Sequence, residues 1–247
     1  MTTVTYEKTK RGEACRKILE ESVALAPYKM LTILPIPTTR DGVHITGSDT
    51  PLTELLSSAG EGCAVVGYGI PASVTQRLRS LGCAVVDSEC DEGFLERNAA
   101  LTAVATLGIV LSSEERDPSE LDIGIVGYGR IGKRLLRLFL SLGSRVRIYT
   151  TRQRTALCLA DSGVDATDVS TLRIPYRHDL LINTAPSPVL DTGESFPHGM
   201  RILELASGDN FHGVSVERCP SLPAKCFPVS AGKAWAESVI RLLGGAR

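Results

Sequence analysis

A short apolar run rich in β-branched residues ends in Gly127, Gly129 and Gly132, and a helical pattern begins at once. This Gly-x-Gly-x-x-Gly spacing is suited to holding a dinucleotide. Gly127 permits a tight turn out of a strand, Gly129 lets a pyrophosphate approach the backbone, and Gly132 lets helix and strand pack closely. Tyr128, Arg130 and Ile131 complete the loop. The amides and positive dipole end of the following helix attract phosphate oxygens. A bland glycine-rich turn is the alternative, and the order strand, turn, helix argues against it.

The next strand bears on the choice of nucleotide. An NAD site usually places Asp or Glu about 20 residues past the glycines, where it accepts from the ribose hydroxyls. Here that stretch is Tyr149-Thr-Thr-Arg-Gln-Arg154, without a carboxylate. Arg152 and Arg154, with the hydroxyls of Thr150 and Thr151, suit a 2′-phosphate through charge-assisted hydrogen bonds. NADP(H) is therefore expected over NAD(H), a solvated basic loop being the other reading. Two later loops, Asn183-Thr184-Ala185-Pro186 with the following Ser-Pro188, and Ala206-Ser207 through Asn210, follow strands of the same sheet. Ligands bind at such strand ends in open α/β sheets. The four histidines, 44, 178, 198 and 212, form no recognisable dyad, and only His212 lies near one of these loops.

The elements that position these residues read as two halves. The first has a helix from about Glu7 to Ala24, a strand over Met30–Ile36 and a short extended piece after Arg40. Then come a helical Pro51–Leu56, a strand from Cys63, a helix Val74–Leu81 stopped by Gly82, and a strand Cys83–Asp87. A long helix covers 94–111, and the polar Ser112–Pro118 reads as the linker. The cofactor half begins at Asp122. Its first helix carries Ile131, Leu135, Leu138, Phe139 and Leu142, with Gly143 as its stop, and strands follow at Ser144–Tyr149, Leu180–Asn183 and Arg201–Leu205. The expected fold is α/β: a Rossmann-type doubly wound parallel sheet over 119–230, a smaller α/β substrate domain over 1–112, and a C-terminal crossover helix over 231–247. Trp235 on that helix is expected to pack in a core or interface.

Composition sets the frame. The 247 residues carry a formal net charge of −1, which gives no electrostatic case for nucleic-acid binding. Seven cysteines show no zinc-like spacing, and their odd number argues against a complete disulfide framework. Met1–Lys8 lacks an apolar signal core, and no stretch reads as long enough to span a membrane, so a cytoplasmic protein without a metal is expected.

A string of motifs resembles the family of bacterial dipicolinate synthase A subunits. It comprises Leu34-Pro35 with Thr38-Thr39, Asp91-Glu92 leading to Asn98 and Thr102, Gly127 to Gly132, Ile182-Asn-Thr-Ala-Pro186, Leu205-Ala-Ser207, and Leu222-Pro-Ala-Lys-Cys-Phe-Pro-Val-Ser-Ala-Gly232. The resemblance is strongest after Asp122, and that family is similar in layout to the D-2-hydroxyacid dehydrogenases. It implies NAD(P)-dependent oxidation of a dihydrodipicolinate-type intermediate to pyridine-2,6-dicarboxylate, a role in sporulating cells, a homo-oligomer and a partner B subunit. Lys225 is then the first choice to hold a substrate carboxylate or act as a base, with Asn98 and Thr102 lining the catalytic site from one helical face. Thr38, Thr39 and Arg40 are candidates for substrate binding; a capping or loop role for the threonines is equally open. Three departures matter. The family has a longer amino-terminal region, Val104 stands where it carries Glu, and Ala224 replaces a glycine. Two alternatives therefore stay open: a dehydrogenase or reductase of another small acid, and a non-catalytic NADP-binding subunit or sensor.

Overall fold

The computed structural model describes residues 1–169, 178–186, 200–208, 210, 211 and 214–244. In chain order the elements are β1 (Thr2–Thr5), α1 (Lys10–Glu20), β2 (Met30–Ile33), β3 (Cys63–Gly67), α2 (Ala72–Ser80), β4 (Ala84–Asp87) and α3 (Glu92–Ser113). Then follow β5 (Asp122–Val126), α4 (Arg130–Ser141), β6 (Arg145–Thr150), α5 (Gln153–Asp161), β7 (Asp165–Asp168), β8 (Leu180–Asn183), β9 (Arg201–Glu204), β10 (Glu217–Arg218), α6 (Leu222–Cys226) and α7 (Pro228–Gly244). They form two compact units: Met1–Asn98 with Pro223–Arg247, and Ala99–Leu222.

The first unit holds a parallel sheet in the order β1-β2-β3-β4. β1 escapes a reading by apolar pattern because Thr2-Thr-Val-Thr5 is a half-exposed edge strand, placed by its pairing with β2. α1 starts at Lys10 rather than Glu7 because Thr9 caps it, its hydroxyl accepting from the Gly12 N–H at 3.3 Å. The helix ends at Glu20, and only a single turn, Val23–Leu25, follows. The extended piece expected after Arg40 is reduced to one bridge between His44 and Pro51.

The C-terminal helix belongs to this unit and packs along α1. Trp235 is fully buried beside Cys15, Leu19, Leu31 and Phe94, with the Arg11 guanidinium 5.8 Å from its ring centroid. Arg241 also ties α7 to the start of α3, donating to Asp91 at 2.6 Å. Burial alone would raise the Asp91 carboxyl, but hydrogen bonds from Ser238 and Arg241 outweigh it and hold the group below its ordinary value. A carboxyl depressed in the folded state stabilises above its unfolded value, near pH 4, and that contribution is lost as pH falls through the folded value. Arg241→Ala should cost roughly 1 kcal/mol or less at pH 7, the pair being partly exposed. Urea titrations should show the gap from wild type narrowing towards pH 3; a gap unchanged with pH would contradict the pairing.

α3 runs further than the pattern suggested, and the division between units falls inside it, between Asn98 and Ala99, rather than in the polar Ser112–Pro118. That stretch instead leads into a capped turn, Pro118–Glu120, with Asp117 accepting from the Ser119 N–H at 2.9 Å. By length and composition α3 is also long and apolar enough to cross a membrane, against expectation, although 44% of the apolar window is buried within the fold.

The second unit is a six-stranded parallel sheet in the order β10-β9-β8-β5-β6-β7. The chain moves outward from β5 through β6 to β7, then crosses to β8 and continues to β10. The order therefore reverses between β5 and β8, and a ligand crevice lies at the carboxyl ends of such strands. α4 buries Gly132, Leu135, Leu136 and Phe139, so Leu136 replaces the expected Leu142, which lies exposed past the helix end. Gly143 follows with φ 82°, the left-handed stop its position implied. The short, polar β7 and β10 lack an apolar period and are placed by the sheet, while α5 buries Ala156 and Leu159.

Candidate dinucleotide site

The glycine loop has the geometry its spacing requires. Gly127 sits at φ 95°, and a Cβ there would stand 2.6 Å from Thr184 Oγ1. A Cβ on Gly132 would lie 2.1 Å from the Gly127 carbonyl oxygen, so the helix can approach the turn only without a side chain. A Cβ on Gly129 would meet nothing within 4 Å, which leaves open space in front of the backbone. Gly129 is also the N-cap of α4, without a side-chain cap, and no acid stands in the first turn. Open space, uncapped helix start and absent acid together fit a pyrophosphate.

The loop is pinned from both sides. The Gly127 N–H donates to the Tyr149 carbonyl at 2.8 Å, and the Thr184 hydroxyl donates to the Val126 carbonyl at 2.8 Å. A cavity of about 380 Å³ opens over it, walled by Gly127 to Gly129 and Lys133 on one side and Thr184 to Pro186 on the other. Thr150 to Arg152 and Thr155 form its β6 end. No carboxylate lines it among the described residues. Lys133 lies over the Tyr128 ring at 5.5 Å and adds a cation that the glycine motif did not announce.

The predicted cofactor residues divide accordingly. Arg152 and Thr151 are exposed at the cavity, whereas Arg154 lies on an adjoining hollow of about 700 Å³ that shares Tyr128, Arg152 and Thr155. Thr150 lines the cavity but is buried, its hydroxyl accepting the Arg152 N–H at 3.2 Å. Arg130 is exposed and Ile131 half-buried in the first turn of α4. Asn183 is corrected from a direct contact to a buried support. Its Nδ2 donates to both Glu204 oxygens at 2.9 and 3.0 Å, and its Oδ1 accepts the Ala185 N–H at 3.1 Å. Ala206 likewise gives its N–H to Glu204, while Ser207 is exposed and outside the cavity wall.

The remaining candidates sit elsewhere. Thr38 is corrected as a substrate contact: it is fully buried and its hydroxyl accepts the Tyr68 N–H at 3.0 Å. Thr39 organises its own loop, donating to Asp41 and accepting from the Gly42 N–H, with Arg40 exposed beside it. Lys225 is exposed in the last turn of α6, and Ala224 needs no left-handed backbone. Asn98 is half-buried and Thr102 buried on α3, where Val104 is 48% exposed. His198, His212, Asp209 and the Ser187-Pro188 end of the first loop lie outside the described residues.

Two histidines meet carboxylates although the sequence shows no recognisable dyad: His44 Nδ1 bonds Asp41 at 2.7 Å, and His178 lies in a longer polar chain. His178 bonds Asp122 through Nδ1 and the Tyr149 hydroxyl through Nε2, the latter at 2.6 Å. Its ring fills the space that a Cβ on Gly124 would occupy. The partners stand 56 and 29 positions away in sequence, so no local spacing could announce them. Tyr149 is also the residue whose carbonyl holds Gly127, which makes the chain a support for the loop from beneath.

The fold thus defines a Rossmann-type α/β protein. D-lactate dehydrogenase from Escherichia coli shares the architecture at 12% identity and a TM-score of 0.61, over 99% of this chain and 96% of that one. The more specific likeness is to the A subunit of dipicolinate synthase. The solved structure of that subunit from Bacillus subtilis superposes with a TM-score of 0.76 at 19% identity, over 99% of this chain and 95% of that chain. The curated A subunit of dipicolinate synthase from Bacillus subtilis (strain 168) is 25% identical over 157 residues. That alignment takes in 59% of this chain and spans about half the relative's length, 53%. The resemblance read from the motifs is therefore found in both sequence and fold. No family model matches the chain.

Proposed function

We propose that the chain binds NADP(H) on its second unit and is an NADP-linked oxidoreductase of the dipicolinate synthase A type. The observation that carries this reading is the cavity over Gly129, with Arg152 and Lys133 at its walls and no lining carboxylate among the described residues. In such a reaction a dihydrodipicolinate-type intermediate loses a hydride and a proton to become the aromatic pyridine-2,6-dicarboxylate. Bound NADP⁺ supplies the hydride acceptor, and the proton passes to a base or to solvent. The α4 amides and Gly129 hold the pyrophosphate, and Arg152, Arg154 and Thr151 hold the 2′-phosphate. Lys225, Arg40, Asn98 and Thr102 are the groups proposed for the substrate carboxylates. The reading carries with it a cytoplasmic setting, a homo-oligomer and a B-type partner, and it accords with seven unpaired cysteines.

Exposed Val104, standing where the family carries an acid, favours a second reading. On that reading the chain acts on another small acid, or binds NADP without turnover. Arg152→Ala should weaken NADPH binding about tenfold to a hundredfold, as loss of a hydrogen-bonded charge pair implies, and leave NADH binding unchanged. Equal weakening of both would remove the 2′-phosphate assignment. Dipicolinate formation lost in Lys225→Ala with NADPH affinity kept would support the synthase reading, and NADPH binding without turnover of any small acid would support the second.

A further inference from the structure

Glu204 ends β9 with 2% of its surface exposed, and every hydrogen bond it makes is accepted. Both oxygens take Asn183 Nδ2, Oε1 also takes the Ala206 N–H at 2.9 Å, and Oε2 takes Asn210 Nδ2 at 3.2 Å. All partners are neutral N–H donors, and both carboxyl oxygens accept. Among the described residues no cation pairs with it. Beside it, Asn210 is buried with its Oδ1 lacking a partner, while its Nδ2 is held by the Ala185 carbonyl at 3.2 Å. A buried carboxyl that meets only neutral donors among the described residues, next to an orphaned acceptor, is costly for a fold to keep.

The strand order shows what lies near it. On the NADP reading, Gly129 at the end of β5 would hold the pyrophosphate and Thr150 to Arg152 at the end of β6 the adenosine phosphate. The other half of a dinucleotide must then run towards β8 and β9. There the wall is Thr184 to Pro186, whose Ala185 is fixed through Asn183 and Asn210 to the Glu204 carboxylate. A nicotinamide ring is positively charged when oxidised and neutral when reduced. We propose that Glu204 is a specificity-determining residue that biases this site towards the oxidised dinucleotide, while positioning the Asn183–Pro186 loop. The bias suits a protein that removes hydride from its substrate and releases reduced cofactor.

The proposal rests on the NADP reading above, and three ligands keep the two separable. Calorimetry with 2′-phospho-ADP-ribose, NADPH and NADP⁺ on wild type, Glu204→Gln and Glu204→Asp gives the comparison. In Glu204→Gln the ratio of NADP⁺ to NADPH dissociation constants should rise about fivefold or more, while Glu204→Asp keeps the wild-type ratio. A purely structural role would weaken both forms equally. An unchanged ratio in a folded Glu204→Gln overturns the proposal. Should that variant fail to fold, wild type binding NADPH more than tenfold tighter than NADP⁺ overturns it, and NADP⁺ binding at least as tight as NADPH supports it. Binding of none of the three ligands would overturn the NADP reading itself, and this proposal with it.

Discussion

Gly132→Val should abolish measurable NADPH binding and also destabilise the second unit. The Cβ of any residue at this position would stand 2.1 Å from the Gly127 carbonyl oxygen and 3.4 Å from Thr184 Oγ1. The first of these is main chain, so it cannot swing aside. Relief requires α4 to move away from the turn, or Gly127 to leave its φ of 95° and the hydrogen bond to Tyr149. Overpacking of this kind costs about 1–3 kcal/mol. A displacement of about 1 Å in a positioning element costs about a hundredfold in function. Gly129→Ala separates the two effects, because its Cβ meets nothing in the protein and obstructs only the approach of a phosphate. That variant should lose NADPH affinity at a cost of about 1 kcal/mol or less in stability, the difference between Gly and Ala as an N-cap. Normal NADPH binding by Gly132→Val would contradict the loop geometry.

Gly232→Val should strongly destabilise the first unit. Here α7 crosses α1 so closely that a Cβ would lie 2.5 Å from the Arg11 carbonyl, 2.7 Å from Ala14 Cβ and 2.9 Å from the Cys15 nitrogen. The seam is followed three residues on by Trp235, the largest fully buried side chain. Separating the helices would loosen Trp235 from Cys15 and Leu19 as well. A loss of about 3 kcal/mol is expected, near the 3–5 kcal/mol typical of Trp→Ala in a core. Urea unfolding should show a lower midpoint at unchanged slope. A loss below about 1 kcal/mol would contradict close packing of the two helices.

The nucleotide loop was legible in the sequence because its chemistry is local. Three glycines, a preceding strand and a following helix lie within about one supersecondary unit. The missing acid and present arginines at the end of β6 were legible for the same reason. Residues that act across strands were not. Glu204 reads as one polar residue in Arg201-Ile-Leu-Glu-Leu205, and only its pairing with Asn183 across two adjacent strands reveals a buried carboxylate. His178 meets Asp122 and Tyr149 only once three strands lie side by side. The edge strands β1, β7 and β10 carry too little apolar pattern to be seen, since among the described residues one side of each ladder has no neighbour. Hydroxyls were over-read in the opposite sense. Thr38 and Thr39 sit in a motif-bearing segment, yet their oxygens accept backbone N–H groups, from Tyr68 past β3 and from Gly42 in the same loop.

The central claim is that the cavity over Gly129 is an NADP(H) site. Calorimetric titration of the wild-type protein with NADPH and with NADH tests it most directly. Arg152 and Lys133 at a wall without carboxylates predict NADPH binding at least about tenfold tighter than NADH, with the preference shrinking as salt is raised. NADH bound as tightly as NADPH, or neither bound at all, would contradict the account.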